Sequence, residues 1–222
     1  MTNKPLVIGI GGFARSGKDT FVKVARKILR QNGYTSTKLA FADALKNEID
    51  PFLKECYDIS AWTDDTQQKS IVRPLLVAHG CQKRLQSEGK YWIEKIDKEI
   101  EKSDVDVIFV SDCRFPNEAE WLHQKWGGWF VHLKKYSVDT IRDGTNDRGR
   151  MYDQAPNAEE ATNDPLCEKQ ADYKLELENV VEKTLRETGN KITPDSLVDN
   201  SYLLDEITLC LKRCPSLIIQ SR

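Results

Sequence analysis

The chain has 222 residues, 39% of them hydrophobic, and a formal net charge of -2, which suits one globular domain with insertions or one domain with a small appendage. The near-zero charge provides no basic field for nucleic acid, so we expect no stable nucleic-acid partner. Six scattered cysteines without a CxxC pair, and only three histidines, argue against structural zinc, and no apolar run approaches the roughly 18 residues of a membrane span.

The first predicted elements are a strand, a glycine-rich turn and a helix. Residues 6–10 form a short apolar run that ends in glycines, and a helical pattern follows through residues 21–29. A second strand is predicted at residues 37–41. Asp43 is predicted to cap a helix over residues 44–53.

The middle of the chain changes from a loop to helices and back to strands. Residues 56–70 are polar and loop-like, and helical patterns dominate residues 71–100. Residues 105–110, VDVIFV, are the most strand-like run, and their apolar character is typical of a strand that is covered on both faces. A helix over residues 118–126 and a strand over residues 129–133 are predicted next.

The last part of the chain begins with a polar stretch. Residues 134–170 are rich in Asp, Asn, Arg, Glu and Pro, and they predict a long surface excursion of the kind that forms lids or mobile loops. A strand over 173–177 and a helix over 179–186 follow. Residues 196–213 predict an amphipathic helix. Its apolar face either packs on the core or binds a second subunit in a homodimer. Strands that alternate with helices predict a mostly parallel α/β sheet.

The stretch from Gly12 to Lys18, GFARSGK, has the spacing of a phosphate-binding loop, or P-loop. Such a turn points backbone N–H groups at a polyphosphate, and the helix N-terminus adds partial positive charge. Lys18 is predicted to reach the β- and γ-phosphates of ATP. The alternative is a tight strand-to-helix turn with a solvated lysine.

Asp19 follows the lysine, where the usual pattern has a metal-binding hydroxyl. Thr20 can supply a hydroxyl one residue later, directly or through water, because Mg²⁺ keeps several waters in such sites. For Asp19 two roles stay open. The helix dipole favours a carboxylate in the first turn, and a carboxylate also suits a nearby metal.

Asp112 and Arg114 directly follow the VDVIFV strand. Ligands of open α/β sheets bind beyond the carboxyl ends of the strands, so both side chains are predicted to lie beside the P-loop substrate. A carboxylate there can order Mg²⁺-bound water or receive a proton, and an arginine can hold phosphate. The alternative is that Asp112 caps the turn and Arg114 is its exposed partner.

Five segments in this order resemble the phage-type deoxynucleoside monophosphate kinases. They are SGKDT (16–20), LAFADALK (39–46), VRPLLVAHG (72–80), YWIEKI (91–96) and SDCRFPNE (111–118). The resemblance covers roughly residues 6–180. It implies an α/β fold, namely a three-layer P-loop kinase fold with a parallel, five-stranded sheet and a helical acceptor-binding insertion. It also implies Mg²⁺-assisted transfer from ATP to a deoxynucleoside monophosphate. The scattered cysteines predict reduced, mostly buried thiols in a reducing cytoplasm, which is the host cell cytoplasm if the chain is phage-encoded.

The resemblance also implies the site residues, position by position. On the ATP side they are Gly12, Arg15, Gly17, Lys18, Asp19 and Thr20. Around the acceptor they are Lys46, Arg73, Gly80, Trp92, Asp112, Arg114 and Glu118. Catalytic roles are implied for Lys18, Asp112 and Arg114, and metal binding for Thr20 and Asp112. Core packing is the alternative for Trp92.

The predicted organisation is a kinase domain over residues 1–186 and a C-terminal helical extension over residues 187–222. Within the domain, the acceptor-binding helical region covers about 43–100 and the lid-like excursion about 134–170. Arginines of the excursion are either lid residues or part of a solvated loop, and they are Arg142, Arg148 and Arg150. Relatives often carry a histidine before an acidic residue there, whereas this chain has Asn157, Glu159 and Glu160.

Two other functional classes stay open. One is another P-loop small-molecule kinase, acting on a shikimate-like alcohol or a coenzyme precursor. The other is a nucleotide-binding switch or a DNA-associated ATPase. The sequence lacks an NKxD guanine-recognition element, a basic bias and a double acidic pair after the VDVIFV strand, all of which argue against the second class.

Overall fold

The structure is a computed structural model that describes residues 4–138, 150–189, 191–193 and 196–220. The chain divides into a first unit, Met1–Lys38 with Val105–Arg222, and a second unit, Leu39–Asp104. All six cysteines are free thiols, and four of them are buried, as the sequence predicts. Among the described residues, no helix has the length and apolar character needed to cross a membrane.

Strands and helices follow one another along most of the chain. The strands are β1 (Leu6–Gly11), β2 (Ser36–Leu39), β3 (Val107–Val110), β4 (Trp129–Val138), β5 (Arg150–Tyr152) and β6 (Tyr173–Glu178). The helices are α1 (Lys18–Gln31), α2 (Phe41–Tyr57), α3 (Thr66–Gln86), α4 (Tyr91–Glu101), α5 (Pro116–Trp121), α6 (Ala158–Gln170), α7 (Val180–Thr188) and α8 (Ser201–Arg213). A π-helical turn, Leu122–Trp126, follows α5, and a 3₁₀ turn, Ser196–Asp199, precedes α8.

The sheet of the first unit has six strands in the described residues, in the order β2-β3-β1-β4-β5, with β6 also paired to β4. Strand β1 is parallel to β3 and β4, and β4 is parallel to β6. Strand β5 is antiparallel to the end of β4. The predicted α/β fold with a mostly parallel sheet is therefore confirmed, but the predicted count of five strands is wrong. All three residues of β5 are exposed, so no apolar pattern marks the strand.

The sheet is covered on both faces. On one face Ile8, Ile10 and Phe109 share an apolar core with residues of α1 and α8, including Ile207. On the other face a Cβ on Gly9 would lie 2.7 Å from the side chain of Leu122. Two helical layers around a sheet give the expected three layers. Helix α8 thus packs on the core, and the homodimer stays a prediction.

Within the excursion predicted at 134–170, the described residues, 134–138 and 150–170, contain more regular structure than the sequence indicates. Strand β4 continues to Val138, and α6 occupies the last part of the excursion. Helix α6 shows no apolar periodicity because its buried residues are two carboxylates and a thiol, those of Glu160, Asp164 and Cys167. A helix that buries polar side chains escapes detection by hydrophobic pattern.

The second unit consists of α2, α3 and α4, around an apolar cluster that includes Ile49, Leu53 and Val72. Two boundaries predicted there are wrong. Helix α2 begins at Phe41 after Ala40, so Asp43 lies in its first turn and does not cap it. Helix α3 begins at Thr66, not at residue 71, because its first turn is polar and solvent-exposed and gives no apolar signal.

Candidate active site

The P-loop joins β1 to α1, and two of its glycines are required by the backbone. Gly12 has φ 122, and a Cβ on it would lie 2.3 Å from the carbonyl oxygen of Leu133 on β4. Gly17 precedes α1 with φ 95, in the left-handed region that favours glycine. The strand predicted at residues 6–10, the glycine-rich turn and the helix that follows it are confirmed.

Lys18 folds back over this loop. Its ammonium group donates to the carbonyl oxygens of Gly12 at 2.7 Å and Phe13 at 2.5 Å, and the residue is only 9% exposed. Burial and then the positive charge of Arg114 lower the pKa of Lys18 from 10.5 to about 8. A buried lysine inside the loop excludes the alternative of a solvated lysine.

Strand β4 supports the loop from outside. Arg15 has φ 66, which is strained for a residue with a side chain. Its carbonyl oxygen accepts a hydrogen bond of 2.9 Å from Lys135 of β4. Lys135 in turn pairs with Asp153 at 3.0 Å. The side chain of Arg15 is exposed, so it is free to approach a ligand at the loop.

Residues 112–115 form the turn between β3 and α5, and Glu118 fixes its shape. The Glu118 carboxylate accepts from the backbone N–H of Arg114 at 2.7 Å and of Phe115 at 3.1 Å. Glu118 is 1% exposed, so the geometry gives it a positioning role at the turn. A direct contact of Glu118 with an acceptor stays a prediction.

The first unit brings the three predicted catalytic side chains into one charge cluster. Arg114 is the second largest influence that lowers the pKa of Lys18, and three carboxylates act in the opposite direction, those of Glu160, Asp112 and Asp19. The charges of Arg114 and of these three carboxylates therefore all act on the Lys18 ammonium at the P-loop. Such a cluster can bind a polyphosphate and its metal.

Sequence analysis missed the role of Glu160. Its carboxylate accepts from the backbone N–H of Ala14 at 2.7 Å and pairs with the Arg114 guanidinium at 3.1 Å. Asn157 accepts from the backbone N–H of Glu160 at 2.9 Å and caps the N-terminus of α6. An Asn three residues before an acidic residue is a recognisable helix-start signal, but it does not reveal where the carboxylate points.

Asp19 and Thr20 point in different directions. The Asp19 carboxylate is exposed and pairs with Lys38 at 2.7 Å. Thr20 lines a cavity of about 170 Å³ together with Gly17 and Val180. The described residues hold no group of three or more acidic, His or Cys side chains suited to a metal. One or two carboxylates fit Mg²⁺ that arrives with a nucleotide, because the phosphates and waters complete its coordination.

Two residues predicted for the acceptor pack together in the second unit. The indole N–H of Trp92 donates to the carbonyl oxygen of Gly80 at 3.1 Å, and Trp92 is 3% exposed. A Cβ on Gly80 would lie 3.3 Å from Leu45. The geometry favours the alternative that Trp92 is a packing residue, because a ring so deeply buried offers no face to a base.

The other two acceptor residues predicted within the second unit, Lys46 and Arg73, are cations. Lys46 lies over the ring of Trp62, 4.5 Å from its centroid, and Trp62 is 44% exposed. Arg73 is exposed in the middle of α3. Sequence analysis overlooked Trp62, although an exposed tryptophan beside a lysine is a reasonable binding surface for an aromatic base.

A second cluster that sequence analysis missed surrounds Glu48 of α2. Glu48 accepts from Tyr91 at 2.6 Å and contacts His79 at 3.0 Å and Lys95 at 3.3 Å. Burial acts to raise the pKa of Glu48, but the hydrogen bonds from Tyr91, His79 and Lys95 outweigh it and lower the pKa to about 2. The cluster links α2, α3 and α4, so the second unit is held by polar contacts as well as its small core.

The predicted lid arginines are only partly described. Arg142 and Arg148 lie outside the described residues. Arg150 of β5 pairs with Glu176 at 2.8 Å and stacks over Tyr136 at 4.5 Å. A phosphate contact of Arg150 stays a prediction.

The family model of phosphomevalonate kinase matches residues 10–128, more than half of the chain. The chain belongs to the phosphomevalonate kinase family. The match contains the P-loop and the turn with Asp112 and Arg114. Membership of the phosphomevalonate kinase family and the site geometry together identify a P-loop kinase that acts on a small molecule.

Solved structures of other kinases are also similar to the chain. Shikimate kinase from Aquifex aeolicus vf5 has 16% identity and a TM-score of 0.33, with 90% of this chain and 96% of that chain covered. Shikimate kinase from Acinetobacter baumannii in complex with shikimate has 14% identity and a TM-score of 0.38, with 97% of each chain covered. A gluconokinase from Sinorhizobium meliloti 1021 has 17% identity and a TM-score of 0.30, with 92% of this chain and 75% of that chain covered. No curated protein matches the sequence.

The lowered pKa of Lys18 predicts proton uptake when a polyphosphate binds. At pH 8 the ammonium, with its pKa of about 8, is half protonated, and phosphate oxygens beside it raise the pKa again. We expect an uptake of up to about half a proton per ATP bound at pH 8. Calorimetric titrations in two buffers with different ionisation enthalpies measure it. An equal uptake by Lys18→Met would assign the proton to another group.

Proposed function

We propose that this chain transfers the γ-phosphoryl group of ATP to a deoxynucleoside monophosphate and releases ADP and the diphosphate. The observation that carries the proposal is a P-loop with a buried Lys18, to which Glu160 joins Arg114 through the backbone N–H of Ala14. Asp112 lies in the same turn as Arg114. The bond between the γ-phosphorus and the β,γ-bridging oxygen breaks, and a bond to an acceptor phosphate oxygen forms. An acceptor phosphate is mostly ionised at pH 7, since its second pKa is about 6, so no base has to remove a proton.

The donor nucleotide is assigned to the first unit. The P-loop N–H groups and Lys18 would hold the phosphates. The cavity of about 170 Å³ beside Gly17 and Thr20, bounded by Asn179 and Val180 after β6, supports placing the base of ATP there. Arg15 lines the same cavity.

Mg²⁺ would be held by Asp112, together with Asp19 or Thr20, and would neutralise charge on the transferred group when bound. The protein's own residues do the rest. Lys18 would donate to phosphate oxygens in place of the carbonyl oxygens of Gly12 and Phe13. Arg114, which is paired with Glu160, would hold phosphate oxygens with its remaining donors. Asp112 does not need to act as a base for a phosphate acceptor, so its proposed role is to order the metal and its water.

The acceptor class rests on the five ordered segments and on the second unit. An exposed Trp62 beneath Lys46 suits an aromatic base next to a phosphate, and the exposed Arg73 supplies a further cation. Family membership favours a second candidate, phosphomevalonate. Phosphomevalonate also presents a phosphate but has no ring to stack.

ADP formation from ATP and Mg²⁺ tests the proposal, measured with each deoxynucleoside monophosphate, each ribonucleoside monophosphate, phosphomevalonate, shikimate and gluconate. We expect the highest kcat/KM with a deoxynucleoside monophosphate. A clear preference for phosphomevalonate would move the chain to the second candidate. Activity only with an alcohol would reject a phosphate acceptor altogether.

Arg73→Ala is expected to raise the KM of the acceptor about tenfold to a hundredfold, because a charge-assisted hydrogen bond to phosphate is worth roughly 1.5 to 3 kcal/mol. The KM of ATP should stay nearly unchanged. Arg73→Lys should recover only part of the loss, since a point charge replaces a planar fork. Both Michaelis constants are measured at fixed ionic strength.

Lys69→Ala is the matched control for Arg73, because Lys69 is also an exposed cation of α3. It should leave both constants unchanged. An acceptor KM that moves less than about threefold in Arg73→Ala, or an equal change for ATP, would show that Arg73 does not hold the acceptor phosphate.

A further inference from the structure

Glu160 connects two parts of the active site that lie far apart in sequence. One carboxylate oxygen accepts from the P-loop N–H of Ala14, 146 residues away, and the other pairs with the guanidinium of Arg114. The Glu160 side chain is 6% exposed, whereas that of Arg114 is 40% exposed. The carboxylate is therefore a buried anchor, and the outer part of the guanidinium still faces solvent.

The anchor itself is fixed by α6. Glu160 lies in the first turn of α6, and Asn157 binds both its backbone N–H, at 2.9 Å, and its carboxylate, at 3.4 Å. The backbone N–H of Glu160 and both of its carboxylate oxygens therefore have hydrogen-bond partners, so the side chain has little rotational freedom. Charge-assisted hydrogen bonds of this kind are short and directional.

Arg114 has more donors than this contact uses. A guanidinium carries five N–H groups in a rigid plane, and a single one, at Nη1, pairs with Glu160 among the contacts of the described residues. Holding one donor restricts the directions in which the remaining donors of the plane can point. The same carboxylate also binds the P-loop that contains Lys18. Glu160 therefore influences the positions of both cations, Lys18 and Arg114.

We propose that Glu160 is a positioning residue for phosphoryl transfer, which holds the Arg114 guanidinium and the P-loop in a fixed relation before substrates bind. This inference rests on the proposed function. Glu160 acts through Arg114 and Ala14 and does not touch the transferred group. Loss of such alignment lowers kcat more than it weakens ATP binding, because misplacement by about 1 Å can cost a hundredfold in rate.

Glu160→Gln tests the inference, with Glu159→Gln as the control. Glu159 is the exposed neighbour on the same helix turn. We expect Glu160→Gln to lower kcat about tenfold to a hundredfold and to change the KM of ATP less than about threefold. Glu159→Gln should leave both values unchanged. Glu160→Asp keeps the charge but is too short to reach both partners, so its kcat should fall between wild type and Glu160→Gln.

A double-mutant cycle separates positioning from a general structural role. In an Arg114→Ala background, Glu160→Gln should lower kcat by less than about threefold, because the glutamine carbonyl oxygen can still accept from the Ala14 N–H and the guanidinium that the carboxylate aligns is gone. A lower melting temperature with unchanged kcat, or the same loss of kcat with and without Arg114, would overturn the inference. So would a rise in the KM of ATP as large as the fall in kcat.

Amide exchange at Ala14, followed by NMR, tests the anchor without an acceptor. The Ala14 N–H should exchange slowly in wild type and in Glu159→Gln, and much faster in Glu160→Ala. If the wild-type protein phosphorylates none of the acceptors, the proposed function fails. The role of Glu160 can still be decided, because amide exchange at Ala14 and the slow hydrolysis of ATP can be measured in the Glu159 and Glu160 variants without an acceptor. Equal exchange in all variants would overturn it.

Discussion

Lys18→Met is expected to lower kcat by roughly 10²- to 10³-fold or more, the range found when one preorganised charge-stabilising donor is removed from an active site. The ammonium lies inside the P-loop, where it donates to the carbonyl oxygens of Gly12 and Phe13. Burial imposes a desolvation cost on this ammonium, which is why its pKa falls to about 8. Phosphate oxygens would compensate that cost during the reaction.

The fold of Lys18→Met should survive. The methionine side chain would fill a similar volume, and the hydrogen bonds of the lysine stay within its own loop, so the melting temperature should remain close to that of wild type. Lys23→Met removes an exposed lysine from the same helix and should leave kcat unchanged. A folded Lys18→Met protein with normal turnover would reject the P-loop as the site of transfer.

Asp112→Asn is expected to produce the second large effect, a fall in kcat of roughly 10²-fold or more with ATP affinity changed less than about threefold. The carboxylate follows β3 and belongs to the charge cluster of Lys18. Asparagine keeps the shape of the side chain and removes the charge that would hold Mg²⁺. Steady-state kinetics and a direct measurement of ATP binding separate the two effects.

The alternative role of Asp112 as a structural cap gives a different result. Loss of a cap would lower the melting temperature and leave turnover nearly normal. Asp104→Asn is a suitable control, since Asp104 is an exposed aspartate just before β3. A kcat within about threefold of wild type in a folded Asp112→Asn protein would exclude the proposed role in ordering the metal.

Local sequence patterns determined the parts of this protein whose structure depends on neighbours in the chain. Glycine spacing predicted the P-loop because Gly12 and Gly17 adopt backbone angles that disfavour other residues. The apolar run at 105–110 predicted β3, whose four residues are all buried. The position of Asp112 beyond β3 followed from the rule that ligands of such sheets bind at the carboxyl ends of strands.

Only the tertiary structure decided what depends on contacts between distant residues. Helix α6 buries Glu160 and Asp164, so its sequence looks like a polar loop. The partners of these carboxylates are distant in sequence, because Glu160 contacts Ala14 and Arg114 and Asp164 contacts His132 of β4 at 2.9 Å. Trp92 was ambiguous for the opposite reason, because an aromatic residue on an amphipathic helix fits both a binding surface and a core. Its 3% exposure follows from the packing of α2, α3 and α4, and local periodicity carries no information about how three helices meet.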